Sequence, residues 1–334
     1  MENMSLLIAF GTRPEWIKIK PVVDAIGGII DYHLLYVGQH TDLIDSSVHE
    51  YGYKTLPVKN NGKNRLDSIM CSVMDGIDQH LDGITHVMVQ GDTTTVLAVS
   101  LACFHRRIKV IHLEAGLRTE FNDGPYPEEF NRRAVGNLAS LHLCPTDGDR
   151  NNLLQEGILR DSAKAVTVGN TVLDNLYGQK PEGEKYILVT MHRRENQDKM
   201  EQWIEAVNDI AKDYDQYEWV WPLHPNMKHL KSKIKFGACD PMPHKELIKT
   251  LKNSKIVITD SGGIIEEASF FKKQILVCRQ GIERHCPSAT EVHRIDDLRD
   301  NFERYIDQPV TRACPFGDGQ SAKKIVEVLK EIRW

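Results

Sequence analysis

The sequence predicts an α/β protein made of two doubly wound, Rossmann-like domains facing a cleft, and three observations carry that expectation. Short apolar runs alternate with segments of helical period along the chain. Runs such as SLLIAF, HVMVQ and KIVITD are apolar on both faces, which suits strands of a parallel sheet covered by helices on each side. The alternation breaks at the polar stretch YGQKPEGEK and then restarts. With 334 residues the chain exceeds the usual limit of one core, so two domains of about 150 residues are expected.

In the first half the strands are SLLIAF, YHLLYV, HVMVQ, KVIHLE, SLHLCP and KAVTVG, with helices over 14–28, 93–106 and 147–157. The second half offers YILVT, YEWVWPL, KIVITD and QILVC, with helices over 198–213 and 264–271. In the terminal SAKKIVEVLKEIRW, residues Ile325, Val326, Val328, Leu329 and Ile332 fall on one helical face, and either domain can receive it. Domains are expected over 1–168 and 169–317, followed by a helix over 318–334.

A net charge of −5, with both signs well mixed, gives no reason to expect nucleic acid or an anionic membrane as partner. The basic KHLKSKIK reads as a solvated helix face. The seven cysteines (Cys71, Cys103, Cys144, Cys239, Cys278, Cys286 and Cys314) contain no CxxC pair, which fits reduced thiols in a cytoplasmic protein. MENMSLLIAF lacks the form of a signal peptide, and no span approaches the length of a membrane helix. The first strand leads into GTRPE instead of GxGxxG, and GxxxxGK[ST], HExxH and zinc-type Cys/His spacings are missing, so neither a cofactor nor a metal is expected. A small molecule is the expected partner.

Ligands of open parallel sheets bind beyond the carboxyl ends of the strands. Arg13, Asp92, Glu114, His192, His224 and Ser261 all stand just past a predicted strand. The Ser261-Gly262-Gly263 turn opens a helix, so its backbone N–H groups and the helix dipole suit a diphosphate; Ser261 as a plain N-cap is the alternative. One turn in, Glu267 is placed to accept ribose hydroxyls, while Glu266 is read as solvent-facing. Arg13 can fork onto phosphate oxygens or pair with Glu15, and Lys18 follows about one turn later. Structural alternatives also stand for the others: Asp92 as a helix N-cap, Glu114 paired with Arg118, Glu128 with Arg132 at i,i+4, and His192 as a cap.

Taken in order, GTRPEWIK, QGDTTT, HLEAGLRT, PYPEEFNRR, GNTV, HRREN and TDSGGIIEEA resemble the non-hydrolysing UDP-N-acetylglucosamine 2-epimerases. The resemblance implies a glycosyltransferase B type fold, with the nucleotide between the halves and the last helix crossing back to the first. It implies Asp92, Glu114 and Glu128 as catalytic carboxylates, with Arg13, Lys18, Arg132 and His192 around the diphosphate and sugar. Ser261, Gly262 and Gly263 would meet the phosphates and Glu267 the ribose; a UDP-sugar substrate and a homodimer are also implied. Where many relatives read ERPE, this chain has Glu283, Arg284, His285 and Cys286. A QHRxML segment tied to activation in some relatives is here Gln39, His40, Thr41, Asp42, Leu43, Ile44. The segment between GNTV and YILVT is also shorter than usual.

The chemistry needs these residue types. The C2 proton of an N-acetylated hexose has no adjacent carbonyl to acidify it. If UDP leaves C1, the oxocarbenium-like centre acidifies C2, and a carboxylate can take the proton to give a 2-acetamidoglucal. Readdition of UDP with a proton delivered to the other face inverts C2. Departure needs cationic or N–H stabilisation of the diphosphate, from Arg13, His192 and the Ser261 turn, and C2 needs acid and base carboxylates. Rival readings are an epimerase of a related UDP-2-acetamido sugar, a hydrolysing epimerase, a glycosyltransferase and a silent nucleotide-sugar binding protein.

Overall fold

The computed structural model describes residues 4–38, 46–60, 62, 64–119, 124–159, 163–279 and 283–331. The stretch from Gln39 to Ile44 lies outside them, as does Ile332. The chain separates into two compact units, the first running to Tyr177 and resuming at Gly317, the second spanning Gly178–Phe316.

The first unit runs β1 (Ser5–Phe10), α1 (Arg13–Ile26), β2 (Asp31–Gly38), β3 (Lys54–Pro57), α2 (Arg65–Gly76), β4 (His86–Gln90), α3 (Thr94–His105), β5 (Lys109–Leu113), α4 (Glu128–Leu138), β6 (Leu141–Cys144), α5 (Asp147–Gln155) and β7 (Lys164–Thr167). Its strands are parallel in the order β3-β2-β1-β4-β5-β6-β7. The order reverses between β1 and β4, the point at which doubly wound sheets open a crevice. All of β4 and all of β6 are buried, as the doubly apolar runs require.

The second unit contains β8 (Tyr186–Thr190), α6 (Met200–Asp213), β9 (Glu218–Pro222), β10 (Ala238–Cys239), α7 (His244–Lys252), β11 (Ser254–Thr259), α8 (Gly262–Phe270), β12 (Gln274–Val277), β13 (Ala289–Glu291) and α9 (Asp297–Tyr305). Its parallel order, β10-β9-β8-β11-β12-β13, repeats that of the first sheet and reverses between β8 and β11. The stretch KHLKSKIK belongs largely to a 3₁₀ segment, Pro225–Lys233, that buries Met227 and Leu230 and exposes its lysines.

The final helix, α10 (Ser321–Glu331), belongs to the first unit. Ala322, Ile325, Val326 and Leu329 enter the same core as Trp16, Ile19 and Val23 of α1. Its N-terminus is held by Asp174, whose carboxylate accepts Ser321 N at 3.1 Å and Ala322 N at 2.8 Å. Each unit therefore has its own buried core beneath a carboxyl strand edge.

Candidate active site

On the first sheet, β5 ends at Leu113 and hands over to Glu114, whose φ is +66°. A left-handed backbone is unfavourable for a residue with a Cβ and costs of order 1–3 kcal/mol when held there. Side-chain contacts hold it: Lys18 Nζ lies 2.6 and 2.7 Å from the two carboxylate oxygens, Asn170 Nδ2 donates to Oε1 at 3.1 Å, and Gln90 Nε2 donates to Oε2. Gln90, Glu114 and Asn170 are all buried. Ammonium and carboxamide groups only donate to it, so these contacts match a carboxylate and not a carboxylic acid. Arg118, the alternative partner for Glu114, instead grips Glu156 at 2.6 and 2.8 Å.

Next to it, Gly91 takes φ +82° and turns the chain from β4 to Asp92. Asp92 Oδ2 accepts Arg132 Nη2 at 2.6 Å, and its backbone carbonyl accepts Asn131 Nδ2 at 2.8 Å, tying the turn to α4. Thr93, not Asp92, caps α3. Its hydroxyl also donates to Glu15 Oε1 at 2.7 Å, while Glu15 Oε2 accepts Gly11 N and Thr12 N at 2.5 and 3.0 Å. Glu15 thus stitches the GTRPE turn to the GDTTT turn, and its burial pushes its proton affinity above the usual carboxylate range. Arg13 opens α1 on the exposed side of that stitch.

Glu128 is the first residue of α4, directly after two cis prolyl bonds, Gly124-Pro125 and Tyr126-Pro127. Its Oε2 is buried with no hydrogen-bond partner among the described residues. The i,i+4 pair with Arg132 is not formed: Arg132 goes to Asp92 and, at 3.4 Å, to the fully buried Glu129. An open carboxylate oxygen beside a paired one is the kind of difference that acid and base roles require.

On the second sheet, β8 leads to His192 and β11 to Asp260 and Ser261. Asp260 is fully buried and accepts His192 N at 3.1 and 3.0 Å, Arg193 N at 2.9 Å and Asn196 Nδ2 at 3.1 Å. This fixes the HRREN turn to the switch point. The His192 ring stacks on His224 with centroids 5.1 Å apart and planes 15° from parallel. Burial holds the His192 imidazole below its ordinary proton affinity; nearby Asp260 works against that shift and His224 with it.

Ser261 occupies the N-cap position of α8 but makes no side-chain cap bond, in contrast to Thr12 and Thr93. The first N–H groups of α8 are therefore not taken by the cap side chain, and the helix dipole adds to them. A Cβ at Gly262 would stand 2.7 Å from Arg284 Nη1, so glycine permits the guanidinium to approach this turn. Glu267 is buried and bonds His244 Nε2 at 2.6 Å. Glu266 corrects the sequence expectation of a solvent-facing side chain: it is fully buried and accepts Arg284 Nε at 2.8 Å. The segment carrying Glu283 and Arg284 folds over that face of α8, which its own periodicity does not disclose.

The expected site residues thus fall into two sets. Arg13, Lys18, Asp92, Glu114, Glu128 and Arg132 gather at the carboxyl edge of the first sheet; His192, His224, Ser261, Gly262, Gly263 and Glu267 gather at that of the second. Sequence reading passed over Gln90, Asn170 and Asp260 as individuals and named Glu15 only as a partner for Arg13, although each sits in a motif already singled out. A polar residue closing an apolar strand, as Gln90 and Asp260 do, was the available signal. Among the described residues no group of His, Cys, Asp and Glu is arranged to hold a metal ion, and no helix is long and apolar enough to cross a membrane.

Two parallel sheets of repeated order, one edged with carboxylates and the other with a glycine turn at a helix start, define an α/β protein of the glycosyltransferase B type. The family profile described as UDP-N-acetylglucosamine 2-epimerase matches residues 27–330. The UDP-N-acetylglucosamine 2-epimerase of Escherichia coli K12 is 34% identical, with 99% of each chain covered, and that of Salmonella borreze is 33% identical, with 98% of each covered. The Neisseria meningitidis UDP-GlcNAc 2-epimerase, solved bound to UDP-GlcNAc, superposes with a TM-score of 0.83 at 30% identity, covering 98% of this chain and all of that one. The wall teichoic acid polymerase TagF, at 12% identity and a TM-score of 0.57, shares the fold alone. The chain belongs to the UDP-N-acetylglucosamine 2-epimerase family.

Proposed function

We propose that this isomerase interconverts UDP-N-acetylglucosamine and UDP-N-acetylmannosamine without hydrolysis, by elimination and readdition of UDP. One observation carries the mechanism: at a single strand edge, a donor-held carboxylate (Glu114), a guanidinium-paired one (Asp92) and one with an open oxygen (Glu128) occur together. In the first step the C1–O bond breaks with its electron pair leaving on the diphosphate. A carboxylate removes the C2 proton, and the C1=C2 double bond of 2-acetamidoglucal forms. In the second step a proton reaches the opposite face of C2 and the UDP oxygen returns to C1. Atoms and charge balance without any redox partner.

Glu114, Asp92 and Glu128 share the proton transfers, with Lys18 and Arg132 setting the charge of the first two. His192, Arg13 and the N–H groups of the Ser261-Gly262-Gly263 turn stabilise the leaving diphosphate. His224 supports His192 by stacking, and Glu267 receives the ribose hydroxyls. The reading includes a homodimer in the cytoplasm, a compartment that suits seven free thiols.

An NMR time course with UDP-N-acetylglucosamine in deuterated water tests it. Both UDP-sugars should accumulate with deuterium at C2. Lasting protium at C2, or free sugar as the main product, overturns the proposal.

A further inference from the structure

The GNTV motif has no part in the roles assigned above, yet its asparagine touches the chemistry. Asn170 is 2% exposed and precedes the 3₁₀ turn Thr171–Leu176. Its Oδ1 accepts Val172 N at 3.1 Å, and its Nδ2 donates to Glu114 Oε1 at 3.1 Å. Exchanging the two amide atoms would set a carbonyl against a carboxylate and an amino group against an N–H, so the contacts permit one orientation only.

The same turn braces the other partner of Glu114. Thr171 Oγ1 donates to the backbone carbonyl of Lys18 at 2.6 Å, and Asn175 Nδ2 reaches that of Ile17 at 3.3 Å. Lys18 in turn holds both oxygens of Glu114. The turn is anchored from behind, since Asp174 accepts the first N–H groups of α10. The glycines of the returning chain fit against it: a Cβ on Gly319 would stand 2.9 Å from Leu173 O, and Gly319 takes φ +82°. The turn is therefore a rigid mount.

We infer that Asn170 is a positioning residue for Glu114. It aims the carboxylate and keeps it in the proton-accepting form, acting through Glu114 and not on the substrate. The inference rests on the reading of Glu114 as a proton-transfer group. Among the described residues, the charged groups around that carboxylate include Lys18 of α1 and His112 on its own strand, with the Asp92–Arg132 pair following Gly91. Asn170 and Gln90 add the neutral donors. Removing a donor from a carboxylate raises its proton affinity, and placing an anion there raises it further.

The test uses the intact enzyme and the variants Asn170→Ala, Asn170→Asp, Thr171→Val and Glu114→Gln. For Asn170→Asp, kcat should fall about 100-fold, as misplacement of a reacting group by around an ångström does. UDP affinity by calorimetry should stay within about twofold while the limb of the kcat/KM profile set by Glu114 moves up by about one pH unit. Asn170→Ala should shift the same limb in the same direction by less, and it serves if the Asp variant does not fold. Thr171→Val breaks a bond of the same turn without touching the carboxylate, so it should lower Tm and leave the pH profile in place. In the Glu114→Gln background, Asn170→Ala should reduce the residual rate no further. An Asn170 variant with kcat within about threefold and an unmoved pH profile overturns the inference. A fully active Glu114→Gln would instead remove the reading of Glu114 on which it rests.

Discussion

The two sheets share a strand order but carry opposite chemistry at their carboxyl edges. In the first, carboxylates emerge from β4, β5 and the start of α4, and the protein spends cationic and amide donors on them. In the second, the buried carboxylate at the strand exits, Asp260, faces inward to backbone N–H groups, and what is offered outward is two imidazoles and a helix start. The helix caps follow suit: Thr12 and Thr93 close their helices in the first unit, while Ser261 leaves its own uncapped by side chain in the second. On the proposed mechanism the same topology serves proton transfer on one side and anion binding on the other, and the choice lies in the residues at the strand exits.

The largest effect should come from breaking the first edge. Glu114→Gln keeps the shape but loses the proton acceptor, so kcat should fall about 100- to 10,000-fold while calorimetric UDP affinity stays near wild type. Weakened UDP binding with retained turnover would reverse the division of labour drawn above. Next in size is Asp260→Ala, which strands three buried or half-buried N–H donors in the second unit. A loss of about 3 kcal/mol is expected. Hydrogen exchange should show it in β8 and β11 but not in β4 and β5; equal loss in both sheets would contradict the independence of the two cores.

The smallest effect is a difference in acid sensitivity. In the first unit burial pulls His86 and His112 down to about 4 and His142 to about 3, from an ordinary 6.5. Each is neutral when folded and takes a proton more readily when unfolded, so its contribution is complete above pH 6.5 and drains away as pH falls toward 4. Exchange protection of β4–β6 should therefore drop between pH 7 and about 5, and His142→Leu should flatten that drop. Protection that is level across this range, or flattened equally by substitutions elsewhere, would show that the buried imidazoles do not control it.

Most strands were legible because parallel strands buried on both faces leave unbroken apolar runs, and Gly, Asp or Thr punctuates their exits. The elements passed over were those whose burial is thin, such as β3, in which only Leu56 is buried, and the two-residue β10. Helices α7 and α9 lie in polar sequence whose apolar positions are few, and α2 fully buries Val73 alone among its apolar residues. For the site, the residue types and their places after strands were readable, but their partners were not. Glu114 meets Lys18 across 96 positions and Asn170 across 56, and no local pattern encodes those separations. Glu266 failed for the same reason, its cover being supplied by Arg284 from beyond the next strand.

The backbone of Glu114 has a consequence for how such sites are found and engineered. At φ +66° the position suits glycine or asparagine better than glutamate, so a screen that rewards thermal tolerance alone would drift away from the residue the proposed chemistry needs. On that proposal a single torsion angle works as a marker, visible without any bound molecule, of a place where folding and turnover select for different amino acids. Libraries aimed at hardier epimerases should hold this codon fixed and seek their gains on the far sides of the two cores.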